Sequence, residues 1–365
     1  MPLYSVAASR PDAGHRPMVA AQVLTSKHPL ANDGELIVVV DDDTGAARLV
    51  TAEQRVARVY AAHGQWPHKR VNLFIFETLQ PLIDQLKRAS KALGESEAIA
   101  LAAAAVLESK PMVQVYNLAD LSECSIFVNR AQMMRLGMWK DDAIVEALLA
   151  REHAQPLSEN ATTRVARALG AVIIDPAAGN GAAIPSGGGP VQQALEHLAH
   201  ELCLHAPQQV FANEFAVRAG FGDALFALNR LSLTGGRAGL VTRATLKDRL
   251  DTEIAAGRQT EDGAAMLLLL ASIEAHARVA LETSAFARAG NLDDARALED
   301  LLWMEALSKT ESEAGTVYRQ LYGSYLALRP QMNEEQMLAW ATTSFAPIMI
   351  AITGYGARLT ASFHY

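Results

Sequence analysis

Midway along the chain the composition breaks. Asp175 to Pro190, DPAAGNGAAIPSGGGP, draws half of its sixteen residues from Gly and Pro. No regular helix or strand tolerates so much backbone freedom combined with missing N–H donors. Before this segment, short β-branched runs alternate with stretches of helical period; after it, the period is helical almost to the end. The expected architecture is mostly α. An α/β (or α+β) N-terminal half spans 35–175, a Gly/Pro-rich linker or loop spans 176–190, and a helical domain spans 191–365. Consecutive helices joined by short turns imply a bundle or a short helical array in that last part. Residues 1–34, polar and carrying four prolines, read as an N-terminal arm.

Within the front half, ELIVVVD (Glu35 to Asp41) predicts a strand. DDTG followed by AARLVT (Ala46 to Thr51) then suggests a hairpin with a second strand. Thr51 and Gln54 match a capping box and predict a helix ending near Gly64. RVNLFIF (Arg70 to Phe76) predicts a buried strand. Pro81 opens a helix carrying Leu82, Ile83 and Leu86 on one face, and 96–109 predicts a second helix, apolar nearly all round. Strands are expected at 112–118, 125–129 and 171–175, and helices at 141–153 and 158–169. Past the linker, helices are expected at 191–205, 208–218, 222–232, 242–256, 260–289, 292–309, 311–328 and 333–344. The turn AGNLDDA inside the stretch from Ala285 to Leu307 resembles the inter-helix turn of a tetratricopeptide repeat. No second copy occurs at that family's period, so an ordinary helical hairpin is expected there.

The chain has 365 residues, half of them hydrophobic and a fifth charged, with a formal charge of −8. That balance argues against nucleic acid as the main partner, because phosphate backbones are met with clustered Lys and Arg. Two cysteines, Cys124 and Cys203, do not make a disulfide framework and point to a reducing compartment. The N-terminus has no basic start followed by an apolar run, and the longest apolar runs, 98–107 and 345–352, are short for a bilayer. A cytoplasmic protein without a membrane is expected, with secretion through an uncleaved N-terminus as the alternative. A protein partner is expected, and a homo-oligomer is compatible with the sequence.

Three local patterns bear on chemistry. Asp41, Asp42 and Asp43 after a strand could hold a divalent ion, but Asp is also a favoured turn residue, and the turn is preferred. IIDPAAGNG (Ile173 to Gly181) resembles the cofactor loop of S-adenosylmethionine-dependent DNA amino-methyltransferases. The resemblance implies that Asp175, Gly179 and Gly181 border the cofactor, where glycines let the backbone approach it closely. The same family needs an Asn/Asp-Pro-Pro-aromatic motif, and the sequence has no Pro-Pro pair. S-adenosylmethionine is therefore a disfavoured cofactor.

The third pattern is PVQQALEHLAHELCLH (Pro190 to His205). On a regular helix Leu195, Leu198, Ala199 and Leu202 share one face, while His197, Glu201 and His205 fall on another at i, i+4 and i+8. Glu201 with His197 or His205 makes a chelating pair suited to zinc or iron. HEL…H resembles the zinc metallopeptidase helix HExxH, one residue too long: His200 and His205 stand about 140° apart around a regular helix. Glu-x-x-x-His resembles the ligand pattern of heme-oxygenase-like di-iron enzymes, whose second such element is missing here. Glu274 and Glu282 can contribute only if their helix packs alongside. Two expectations follow. The preferred one is a helical protein-binding or regulatory protein with no recognisable catalytic motif. The alternative is a metal-dependent enzyme or metal-binding protein that uses the His/Glu face of helix 191–205.

Overall fold

A computed structural model describes residues 23–92, 107–116, 120–162, 171–176, 188–234 and 236–364. Five strands form one sheet in the order β1-β2-β3-β5-β4: β1 Leu24–Pro29, β2 Glu35–Val40, β3 Arg70–Phe76, β4 Met112–Tyr116 and β5 Glu123–Asn129. The three inner strands are parallel and the two edges antiparallel. Alternation along each strand sends Leu36, Val38 and Val40, Val71, Leu73 and Ile75, and Cys124, Ile126 and Val128 into the core. The register sets Leu36 against Val71 and Val71 against Cys124, so the cysteine continues an apolar row.

Helix α1, Ala46–Ala62, crosses from β2 to β3. The AARLVT segment is thus helical, not the second strand of a hairpin. Leu49, Val50, Val56, Ala57 and Tyr60 are buried at helical spacing, and that period outweighs the short apolar run that suggested a strand. Gly45 begins the helix at φ 82°, and a Cβ there would stand 2.9 Å from the Trp139 ring. Thr51 is interior to this helix, donating to the Ala47 carbonyl, and caps nothing. The expected arm contributes edge strand β1. Helix α2, Gln80–Ala92, lies on the other face, where Leu79 and Ile83 pack with Val113 and Phe127. The expected helix at 96–109 falls largely outside the described residues.

After a short helix α3, Arg130–Arg135, helix α4 runs unbroken over Asp142–Thr162 where two helices are expected. Pro156 sits inside it. Burial of Ala154, Leu157 and Ser158 around the proline offsets the lost hydrogen bond. Strand β6, Ala171–Pro176, pairs antiparallel with a C-terminal strand β7, Leu359–His364, that the sequence pattern does not reveal. Asp175 is exposed on β6, while Gly179 and Gly181 lie outside the described residues.

The rear half is a helical array. Helix α5, Gly188–Ala199, continues into a π-helical turn at His200–His205, then α6, Ala206–Ala216, a second π turn at Val217–Phe221, and α7, Gly222–Thr234. It proceeds through α8 Gly236–Ala255, α9 Glu261–Ala289, α10 Leu292–Glu305, α11 Ser312–Leu326 and α12 Glu334–Thr353. Helix α12 carries Pro347 internally and continues well past the stop expected near 344. Helix α9 is the axis of the array, flanked by α5, α6, α8, α10 and α11. Thr260 caps its start, and Gly290, at φ 95°, ends it in the left-handed conformation before the α9–α10 hairpin. Helices α9 and α12 are long and apolar enough to cross a bilayer by length and composition alone, with 56% and 44% of those spans buried in the fold. Helix α4 packs on α1, α6 and α7, and one continuous apolar cluster includes residues from the sheet and from the array.

Candidate metal centre

The π turn changes the geometry of the His/Glu segment. A regular helix would separate His200 from His205. The wider π turn stacks i over i+5, and their ring centroids are 6.4 Å apart. Tyr325 donates its hydroxyl to the Leu202 carbonyl inside this turn, at 3.1 Å. The long helix does pack alongside. His197 Nε2 lies 3.2 Å from Glu274 Oε1, whereas Glu201 pairs with His205 at 3.6 Å. Hydrogen bonding to His205 lowers the Glu201 pKa, and the same contact raises that of His205. Arg278 acts electrostatically on Glu201 as well. The three residues singled out from the sequence are thus distributed over two separate pairs, with a guanidinium close by.

The aspartates after β2 form a turn. The Asp42 carboxylate accepts from the Thr44 N–H, which lowers its pKa. Asp41 and Glu77 are held by the buried Arg130, at 3.2 and 2.8 Å. These groups occupy the carboxyl ends of the parallel strands, the rim where open α/β sheets usually bind ligands, but here the carboxylates are committed to an internal cation.

Among the described residues, one group of three potential metal ligands converges: His68, Cys124 and His153, whose ligand atoms all lie within 4.8 Å of one another. Cys124 is the second residue of β5, His68 stands two residues before β3, and His153 comes from the core face of α4. Glu53, on the core face of α1, completes the set. All four are buried, with Glu53, Cys124 and His153 at 0% exposure. The Trp66 ring packs against both imidazoles, with centroids 4.6 and 4.7 Å away. The cluster lies at the amino-terminal ends of the parallel strands, opposite the Arg130 rim.

The hydrogen bonds orient the two imidazole rings. His68 Nδ1 is 2.5 Å from the Leu121 carbonyl, which can only accept, so this nitrogen carries the proton and Nε2 a lone pair. His153 Nε2 is 2.8 Å from Glu53 Oε1, which turns its Nδ1 toward His68. These two nitrogens face each other at 3.2 Å, and the Gln114 side-chain amide lies 3.2 Å from His153 Nδ1. Two opposed lone pairs at that distance repel unless a cation stands with them. A second proton on His153 would complete a hydrogen-bonded chain from Glu53 to Leu121. A metal ion would satisfy both nitrogens and the sulfur at once.

Burial, with the neighbouring His153 as a second cause, pushes the His68 pKa down to about 3. Burial likewise raises the Cys124 thiol, with the Glu53 charge adding to it. Without a metal, His68 is a neutral ligand and Cys124 is a thiol. Sequence reasoning missed this cluster because its members are far apart in the chain and form no motif. The available signal was polar residues at core phases of two helices, Glu53 and His153. Compared with known proteins, the chain matches no family model, no curated protein and no solved structure.

Proposed function

We propose that this is a metal-binding protein that holds one zinc-class ion on His68 Nε2, His153 Nδ1 and Cys124 Sγ, and that the ion has a structural role. The observation that carries this is the 3.2 Å separation of His68 Nε2 and His153 Nδ1. Two imidazoles on a tetrahedral zinc, each bonded at about 2.0–2.1 Å, stand about 3.3 Å apart. The donor set of two neutral imidazoles and one thiolate suits zinc. Both imidazoles also have the outer partners that metal-bound histidines use, a carboxylate for His153 and a backbone carbonyl for His68. A Cys124 thiolate and the Glu53 carboxylate together supply two negative charges for a dication. The Gln114 side-chain amide, 3.2 Å from His153 Nδ1, stands beside the site.

Complete burial and the position at the amino-terminal strand ends favour structure over catalysis, since a catalytic ion keeps a site open to substrate. Such an ion would tie α1, the β3 and β5 ends and α4 together, and α4 in turn carries α6 and α7. This reading keeps the metal-binding alternative drawn from the sequence and moves it from His197, Glu201 and His205 to a different set of residues. It also accommodates a regulatory role, because loss of the ion would loosen the contact between sheet and array.

Cobalt substitution tests the ligand set. Co²⁺ added to chelator-treated protein should give a thiolate-to-metal charge-transfer band at one equivalent. Cys124→Ser should remove the band, and Glu53→Gln should weaken Co²⁺ and Zn²⁺ binding by about 10–100-fold. A band that survives Cys124→Ser, or no band in the native sequence, refutes the assignment.

A further inference from the structure

A cavity of about 550 Å³ opens within the helical array, lined by residues of α4, α7, α8, α9 and α10. Its size falls within the range of small-molecule sites, roughly 300–1,000 Å³. Its apolar lining includes Val279 of α9, Leu298 and Leu302 of α10 and Leu246 of α8. Ala275 and Arg278 are exposed and mark the mouth on the α9 face.

The polar groups are unequally committed. Arg243 is held by Glu311 and by Ser272 Oγ. The Glu282 carboxylate accepts from Asn213 and Asn229 at 2.8 and 3.2 Å, both bonds falling on the same oxygen. Glu274 is paired with His197. Arg151 and Arg278 also line the cavity, and among the described residues neither makes an ion pair or a side-chain hydrogen bond. Arg278 acts electrostatically on Glu201 and Arg151 on Glu282, but without hydrogen bonds to them, so both guanidiniums keep N–H donors for a ligand beside apolar lining residues. Guanidinium groups favour carboxylates, which they can bind through two parallel N–H donors.

We propose that this cavity binds a small amphipathic carboxylic acid, its acid group on Arg151 and Arg278 and its hydrocarbon body against Val279, Leu298 and Leu302. The proposal is independent of the metal centre, which shares no residue with the cavity.

Calorimetric titration of the whole protein with octanoate, with 1-octanol as the uncharged counterpart, tests it. One octanoate should bind per chain, and octanol should bind at least about tenfold more weakly, the equivalent of one charge-assisted hydrogen bond. Arg151→Gln should weaken octanoate by about tenfold or more. Arg278→Gln, at an exposed position where folding is safe from the change, should do the same. Ala275→Phe should block the mouth and abolish binding while leaving the melting temperature unchanged. Absence of octanoate binding, equal binding of octanol, or unaltered affinity in Arg278→Gln each overturns the proposal.

Discussion

Two imidazole nitrogens facing each other at 3.2 Å, each ring anchored by its other nitrogen, have an acid–base consequence. His68 has a pKa of about 3 in the fold, against about 6.5 in an unfolded chain. As pH falls below 6.5 the unfolded chain takes up a proton that the folded chain refuses until about pH 3. The stability this residue contributes is therefore complete above pH 6.5 and lost as pH falls toward 3, at up to about 1.4 kcal/mol per pH unit. Burial pushes His276 down to about 4, and it acts in the same direction, so comparison with a His68→Gln variant isolates the first residue. Urea unfolding in the presence of chelator should show the native sequence losing more stability than the variant between pH 7 and pH 5. Parallel losses would show that His68 is not held neutral. At this scale the sequence hid the centre. Glu53 stands among Leu49, Val50, Val56 and Ala57, and His153 beside Leu149, Ala150 and Ala154, all buried. A carboxylate and an imidazole in the apolar phase of two helices are visible only once the first helix is known to start at Ala46.

Among the elements, spans governed by local period were legible and those governed by distant partners were not. Arg70–Phe76 coincides with its expected strand because a continuous β-branched and aromatic run has one stable outcome between two parallel neighbours. Strand β6 coincides with the strand expected at 171–175, but its partner β7 escaped because the two lie at opposite sides of the array in sequence and β7 has no strong pattern alone. The helix ends expected at 153 and 344 fall just before Pro156 and Pro347, yet tertiary burial carries both helices through these prolines. The His200–His205 turn is the element on which the metal-helix expectation rested, and its π winding follows no simple period. Tyr325, fully buried, ties this turn to α11 through its hydroxyl on the Leu202 carbonyl. Tyr325→Phe would leave that acceptor buried without its donor. The substitution should cost about 1–3 kcal/mol in a denaturation midpoint, with helical content by circular dichroism unchanged. A cost near zero would mean that the π turn satisfies its own carbonyls.

For the whole molecule, the composition break at 175–190 marked the change from sheet to array but not the continuity of the apolar core across it. Helix α4 accounts for that continuity, since it brings His153 to the metal centre and Arg151 to the cavity. The four tryptophans are distributed for a test of coupling: Trp66 and Trp139 in the front half, Trp303 and Trp340 in the rear. A variant with Trp66→Phe and Trp139→Phe reports on the array alone, and zinc should still raise its melting transition. At one hundred times the dissociation constant the gain is about 2.7 kcal/mol. If zinc leaves that transition unmoved, the ion does not join the two halves. The central claim, an ion on His68, Cys124 and His153, is tested most directly by elemental analysis of the purified, buffer-exchanged protein beside its Cys124→Ser and Glu201→Ala variants. The account predicts close to one zinc per chain in the native sequence and in Glu201→Ala, and none in Cys124→Ser. Metal-free native protein that takes up no added zinc, or zinc lost with Glu201 and kept without Cys124, would contradict it.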